Sequence, residues 1–242
     1  MINSIIEHII HLIIVLPIIF LTMKNKKKES LKILLAFSIF FLLNSTLLFL
    51  PLKFEELRII GGNWNWNGKI FAVLGSIIFL LFYRKFELKD YHLTLNQNKK
   101  FFKKGVVIIS ALLLIQIVMG LIYNSPKELN AETIIFQLTM PGIDEEIAFR
   151  GIMLGLLIKI LKPSSKTFFH PAIIITSLLF GMAHGLFLNE SYELTFNSYP
   201  FFNTLIHGMI WGFVTIKSGS ILLALISHNI GNVANQLVSM NK

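Results

Sequence analysis

Cysteine is absent from all 242 residues. That excludes disulfides, thiolate metal sites and a cysteine nucleophile. Charge is also scarce: 14% of residues are Asp, Glu, Lys or Arg, against about 25% in a typical soluble domain. Hydrophobic residues make up 54% of the chain and mean hydropathy is +0.69. The apolar residues gather in runs close to the roughly 20 residues needed to cross a hydrocarbon core. Together these features exclude an ordinary soluble domain and predict an integral membrane protein built of helices. No internal repeat or low-complexity tract interrupts the pattern.

The net charge of +9 does not indicate a nucleic-acid partner. The lysines lie between apolar runs, where topology rules put them, not along one helix face with aromatics interleaved. The N-terminus has no basic n-region and no small-residue cleavage site, and it carries Glu7, His8 and His11 within its apolar run. It reads as a retained span, not a secretory signal.

The hydropathy pattern predicts about eight transmembrane helices, near 5–23, 31–50, 69–83, 105–123, 142–160, 171–188, 201–217 and 220–238. The third is short and has room to begin earlier, beside Trp64 and Trp66, which read as an interfacial belt. A polar link at 124–131 divides the chain. Residues 1–125 form an N-terminal membrane region of about four helices, and 126–242 form a core of about four more. Residues 132–139 are expected to form a short interfacial helix, with Pro141-Gly142 breaking the chain and opening the fifth span. Sixteen of the 22 Lys and Arg fall on one side of this arrangement and five, Lys69 among them, on the other. The positive-inside rule then places the lysine-rich loops in the cytoplasm and both termini outside.

Polar pairs inside the later spans carry the chemistry. Ionisable groups at the centre of a span cost about 2.5–3.5 kcal/mol each on insertion scales and mark functional sites. Glu146 and Arg150 are four residues apart, share a helix face and are expected to pair. Glu145 points about 100° away. A carboxylate left without that partner in apolar surroundings is suited to act as a general base. Phe180 and His184 share a face, as do His228 and Asn232. Gly181, Gly185, Gly208 and Gly212 give the small-residue spacing that lets membrane helices approach closely. At about 1.5 Å per residue, Glu145, His184, Asn232 and His228 fall ~5–15 Å below the outer ends of their spans, so they can converge. His207, His8 and His11 read as hydrogen-bonded packing residues.

The run Asp144-Glu145-Glu146-Ile147-Ala148-Phe149-Arg150-Gly151 resembles the E-E-x-x-x-R motif of the CAAX-protease and bacteriocin-processing (CPBP) intramembrane proteases. Phe180-x-x-x-His184 resembles that family's second motif, and His228-x-x-x-Asn232 its third. The resemblance covers roughly 130–238. It implies an all-α bundle of about eight membrane helices and hydrolysis of peptide bonds in the membrane. By that likeness Glu145 and His184 activate water, and His228 and Asn232 stabilise the oxyanion. Glu146 and Arg150 support the site and Phe180 packs beside it. Two histidines and a glutamate (Glu145, His184 and His228) also suit Zn²⁺ with an open position for water, whereas a glutamate-dependent mechanism needs no metal. The implied partners are the lipid bilayer and a peptide or membrane-protein substrate. The lysine and asparagine bias suggests a bacterial plasma membrane. Competing readings are a non-catalytic immunity or scaffold protein, a bis-histidine haem protein through His184 and His228, and a proton-coupled transporter.

Overall fold

A computed structural model describes residues 2–123, 125–126 and 128–240; of Ile2 only the backbone is described. The described residues form an all-helical bundle with one short hairpin. Its helices are α1 (Ile2–Thr22), α2 (Lys28–Lys53), α3 (Trp66–Phe82), α4 (Lys99–Tyr123), α5 (Ala131–Glu145), α6 (Leu154–Ile160), α7 (Pro171–Gly185), α8 (Ser198–Ser218) and α9 (Leu222–Met240). A π-helical segment, Glu146–Met153, joins α5 to α6, so that residues 131–160 form one continuous rod. The hairpin pairs β1 (Leu186–Leu188) with β2 (Leu194–Phe196), antiparallel.

Three helices, over Asn3–Thr22, Lys28–Lys53 and Lys99–Tyr123, are long and apolar enough to cross a membrane, and α3 and α7 are shorter apolar helices. Large apolar side chains such as Leu21, Leu35, Phe82, Val107, Leu114 and Ile122 stand exposed along these helices. Water would not tolerate so much apolar surface, but lipid solvates it.

The 131–160 rod is the axis of the bundle. Ile152, Met153, Leu154, Leu156 and Leu157 have no exposed surface at all, as expected of a helix surrounded on every side. It packs against α2 and α3 on one side and against α7, α8 and α9 on the other. α1 closes against α2 and α7, and α4 against α8 and α9. α7 and α8 pack extensively, and the four glycines line their interface. A β-carbon at Gly185 would fall 2.5 Å from Phe201 Cβ and 2.7 Å from Asn197 O, so no larger residue fits there without separating the helices.

Several boundaries differ from the hydropathy reading. The chain does not break at Pro141-Gly142. Asn130 caps α5 by accepting from Thr133 N at 2.8 Å, and the helix then runs through Pro141. Proline cannot donate to the helix ladder, and Asn229 on α9 bonds the backbone on both sides of it. It accepts from Gly142 N at 2.8 Å and donates to Thr139 O at 3.1 Å. A β-carbon at position 142 would sit 2.5 Å from Asn229 Oδ1, so the residue there is glycine. The predicted sixth span is shorter than expected, because α7 ends at Gly185 and residues 186–188 pair in the hairpin. α3 does begin at Trp66, capped by Asn65. The polar link at 124–131 includes positions 124 and 127, which lie outside the described residues.

Candidate active site

A cavity of about 450 Å³ lies between the axial rod, α3, α7, α8 and α9, and its walls include Glu145, Phe180, His184, His228 and Asn232. The three sequence motifs, from three separate helices, thus meet in one cavity. Lys69, Gln116, Gln137, His207 and Trp211 also line it, as does Trp64. Trp64 is therefore more than an interfacial anchor: it stacks on Phe136 at 4.9 Å and donates to Thr133 Oγ1 at 2.9 Å.

Glu145 and Glu146 point in different directions, as their spacing predicts. Glu146 is completely buried and lies 3.2 Å from Arg150 Nη1. The contact is an ion pair without the alignment of a hydrogen bond, since neither terminal nitrogen of Arg150 has a bonded partner. Aromatic faces surround that cation instead, with Phe180 at 4.2 Å and Trp211 at 5.2 Å from the guanidinium carbon. Rings stacked around a desolvated guanidinium contribute on the order of 2 kcal/mol. Phe180 thus packs both beside His184, at 4.6 Å between centroids, and over Arg150.

Glu145 is not the isolated carboxylate that the sequence suggested. Lys69 Nζ lies 2.6 Å from Glu145 Oε1 and 3.0 Å from Asp144 Oδ2, with Lys69 and Asp144 buried and Glu145 partly so. Sequence reasoning counted Lys69 among the outer-loop charges, and it is instead inside the site. A signal was available in the charge balance. Asp144, Glu145 and Glu146 face only one cation, Arg150, within their own helix, and buried charges are compensated. A lysine at the edge of a neighbouring apolar run was the natural counter-ion.

The histidines are each fixed through one ring nitrogen. His184 Nδ1 lies 2.8 Å from Phe180 O. A carbonyl only accepts, so Nδ1 carries the hydrogen and Nε2 is left with its lone pair. His228 Nδ1 lies 2.8 Å from Glu146 Oε1, and its Nε2 is 3.7 Å from Glu145 Oε2. Trp211 stacks against His228 at 4.4 Å and 16°, anchored through Nε1 to Ser227 Oγ at 3.2 Å. A carboxylate on one nitrogen and an indole on the face leave His228 little freedom. His207, set aside as a packing residue, lines the same cavity; its Nδ1 bonds Asn203 O at 2.6 Å and its Nε2 is buried without a partner.

The donor set does not favour a metal here. Lys69 already holds one oxygen of Glu145, so a dication at Glu145, His184 and His228 would sit beside an ammonium group. Among the described residues, the three side chains whose ligand atoms come within 4.8 Å of one another are Glu7, His8 and His11.

The fold and cavity define a membrane-embedded helical protein with carboxylate, imidazole and amide groups gathered in a buried polar chamber. Residues 127–234 match the family model described as type II CAAX prenyl endopeptidase Rce1-like. That stretch, a little under half of the chain, contains all three motifs and bears out the resemblance read from them. Comparison with curated proteins and with solved structures returned no match.

Proposed function

We propose that the protein is an intramembrane endopeptidase that hydrolyses peptide bonds with water activated by Glu145 and His184. The observation that carries this reading is the convergence of Glu145, His184, His228 and Asn232 on one buried cavity from three helices. Water attacks the scissile carbonyl carbon as Glu145 takes its proton, with His184 Nε2 holding the water in line. The oxyanion that forms accepts from the Asn232 amide and from His228 Nε2. The C–N bond then breaks, and Glu145 returns the proton to the leaving amine. Glu146 orients His228, Arg150 balances Glu146, and Phe180 holds both His184 and Arg150. No step requires a metal, and the Lys69–Glu145 contact speaks against one.

Multiple passes through a bacterial plasma membrane, with the lysine-rich loops in the cytoplasm, fit the charge bias. The substrate class is then a peptide or membrane-protein segment reaching the outer half of the bilayer. Cysteine-accessibility labelling at 189–199 tests the orientation, which fails if those residues are cytoplasmic. The function is tested by comparing peptide termini in membranes of wild type and a Glu145→Gln strain. A terminus missing only in the variant identifies the cleavage, whereas identical sets of termini refute proteolysis. The second reading, a non-catalytic immunity protein, predicts full biological function in Glu145→Ala and His184→Ala variants of normal abundance.

A further inference from the structure

Glu7, His8 and His11 near the start of α1 form a second polar cluster with no part in the cavity above. They are 8%, 5% and 0% exposed. Glu7 and His11 are four residues apart and His8 and His11 three, so one helix face presents all three. A carboxylate and two imidazoles in an apolar span need a reason to be there. Packing alone does not supply it, because His11 Nδ1 is fully buried without any partner among the described residues. One nitrogen of each ring is committed. His11 Nε2 lies 2.9 Å from Leu186 O, and His8 Nδ1 lies 2.6 Å from Ser4 O. Both carbonyls must accept, so His11 Nδ1 and His8 Nε2 are left as lone-pair donors. Glu7 Oε2 accepts from Leu188 N at 2.8 Å, leaving Oε1 for a further partner.

We propose that Glu7, His8 and His11 bind a divalent transition-metal ion, Zn²⁺ by the character of the donors. Two imidazoles and a carboxylate suit zinc more than magnesium or calcium, and a fourth position stays open for water. Carbonyl-bonded imidazoles are the usual outer shell that orients metal-bound histidine. One ligand atom from each of the three side chains lies within 4.8 Å of the others. Bonds of about 2.0–2.1 Å to Zn²⁺ require separations of about 3.3 Å, so metal binding draws the three side chains together. The ion has a mechanical consequence. Glu7 and His11 grip Leu188 N and Leu186 O, and Asn3 adds a bond to Asn189 O at 2.9 Å. The bound ion therefore locks α1 to the strand that follows His184. A narrow cavity of about 100 Å³ separates His8 from Lys69, Glu145 and His184, so the ion sits behind the proposed active site.

The test uses full-length protein in detergent micelles, stripped with EDTA, dialysed against Zn²⁺ and assayed for metal by plasma mass spectrometry. One Zn²⁺ per chain is expected in wild type and in His184→Gln/His228→Gln, with loss in His8→Gln/His11→Gln. Co²⁺ substitution should give a ligand-field absorption with the same dependence on the variants. Should the double variant fail to fold, Glu7→Gln is the fallback, with binding at least about tenfold weaker and a smaller Zn²⁺-induced rise in melting temperature. No Zn²⁺ bound by wild type, equal binding by the α1 variants, or loss confined to His184→Gln/His228→Gln overturns the proposal.

Discussion

Replacing Lys69 with methionine keeps most of the side-chain volume and removes the one cation that Asp144 and Glu145 share. Asp144 is buried and Glu145 largely so, with side-chain exposures of 3% and 14%, so loss of the ammonium leaves both carboxylates poorly compensated. Breaking a buried ion pair by deleting one partner costs about 3–5 kcal/mol. An independent route gives the same size: a stranded carboxyl escapes by taking up a proton, which from a free-glutamate value costs about 4 kcal/mol at pH 7. On the scale of about 2–4 °C per kcal/mol for chains of this length, melting should fall by about 6–20 °C.

The companion variants make the reasoning refutable. Lys69→Met/Asp144→Asn strands one carboxylate, and Lys69→Met/Asp144→Asn/Glu145→Gln strands none. Thermal unfolding in detergent should therefore recover in steps across the series, the triple variant regaining most of the loss while remaining inactive. Lowering the pH should shrink the deficit of the single variant by about 1.4 kcal/mol per unit for each carboxylate that takes up a proton. A Lys69→Met protein as stable as wild type, or a triple variant no better than the single, would show that the pairing is not what holds α3 to the axial rod.

Three further outcomes follow from the same structure. Asn229→Leu removes both bonds to the backbone on either side of Pro141 and should cost about 1–3 kcal/mol in thermal unfolding; no loss would mean those bonds do not stabilise the helix. Glu146→Gln keeps the shape but weakens the anchor of His228. Cleavage should fall by at least about tenfold, the scale for carboxylates that orient a functional histidine, in a protein that still folds; undiminished cleavage refutes the anchoring role. Outside the membrane spans, Asp90 accepts from Lys159 Nζ at 2.6 Å, and that contact holds its carboxyl below the usual aspartate range. A depressed folded-state value stabilises the protein above the unfolded-state value and loses that contribution as pH falls. Asp90→Asn should therefore cost at most about 1 kcal/mol at pH 7, because the pair is partly exposed, and nothing well below pH 4. A cost unchanged at low pH would refute it.

The parts of the site legible in the sequence were those set by local helical geometry. Glu146 with Arg150, Phe180 with His184 and the divergence of Glu145 from Glu146 follow from spacing alone, and glycine spacing anticipated the close approach of α7 and α8. Partners supplied by other helices were not legible. Lys69 looked like a loop charge because hydropathy marks where a span becomes apolar, not where its helix begins. The helix starts at Trp66 and carries Lys69 inward on its first turn. Pro141 looked like a helix start because its local preference is real. Asn229, 88 residues later, overrode that preference through a tertiary bond that no local pattern encodes. His207 was set aside because a lone histidine gives no local sign of the cavity it faces.

These cross-helix partners share one physical logic, which bears on the chemistry. Asp144, Glu145 and Glu146 bring three carboxylates into the bundle, and Lys69 and Arg150 bring two cations. His228 lies between the unmatched charge and the cavity, 2.8 Å from Glu146 and 3.7 Å from Glu145. With Nδ1–H given to Glu146, the ring can donate to an oxyanion only when Nε2 also carries hydrogen. Trp211 stacked on the face of the ring keeps it aimed. A substrate carbonyl entering the cavity would meet a donor whose orientation is fixed before any bond breaks, which is the arrangement that makes electrostatic stabilisation effective.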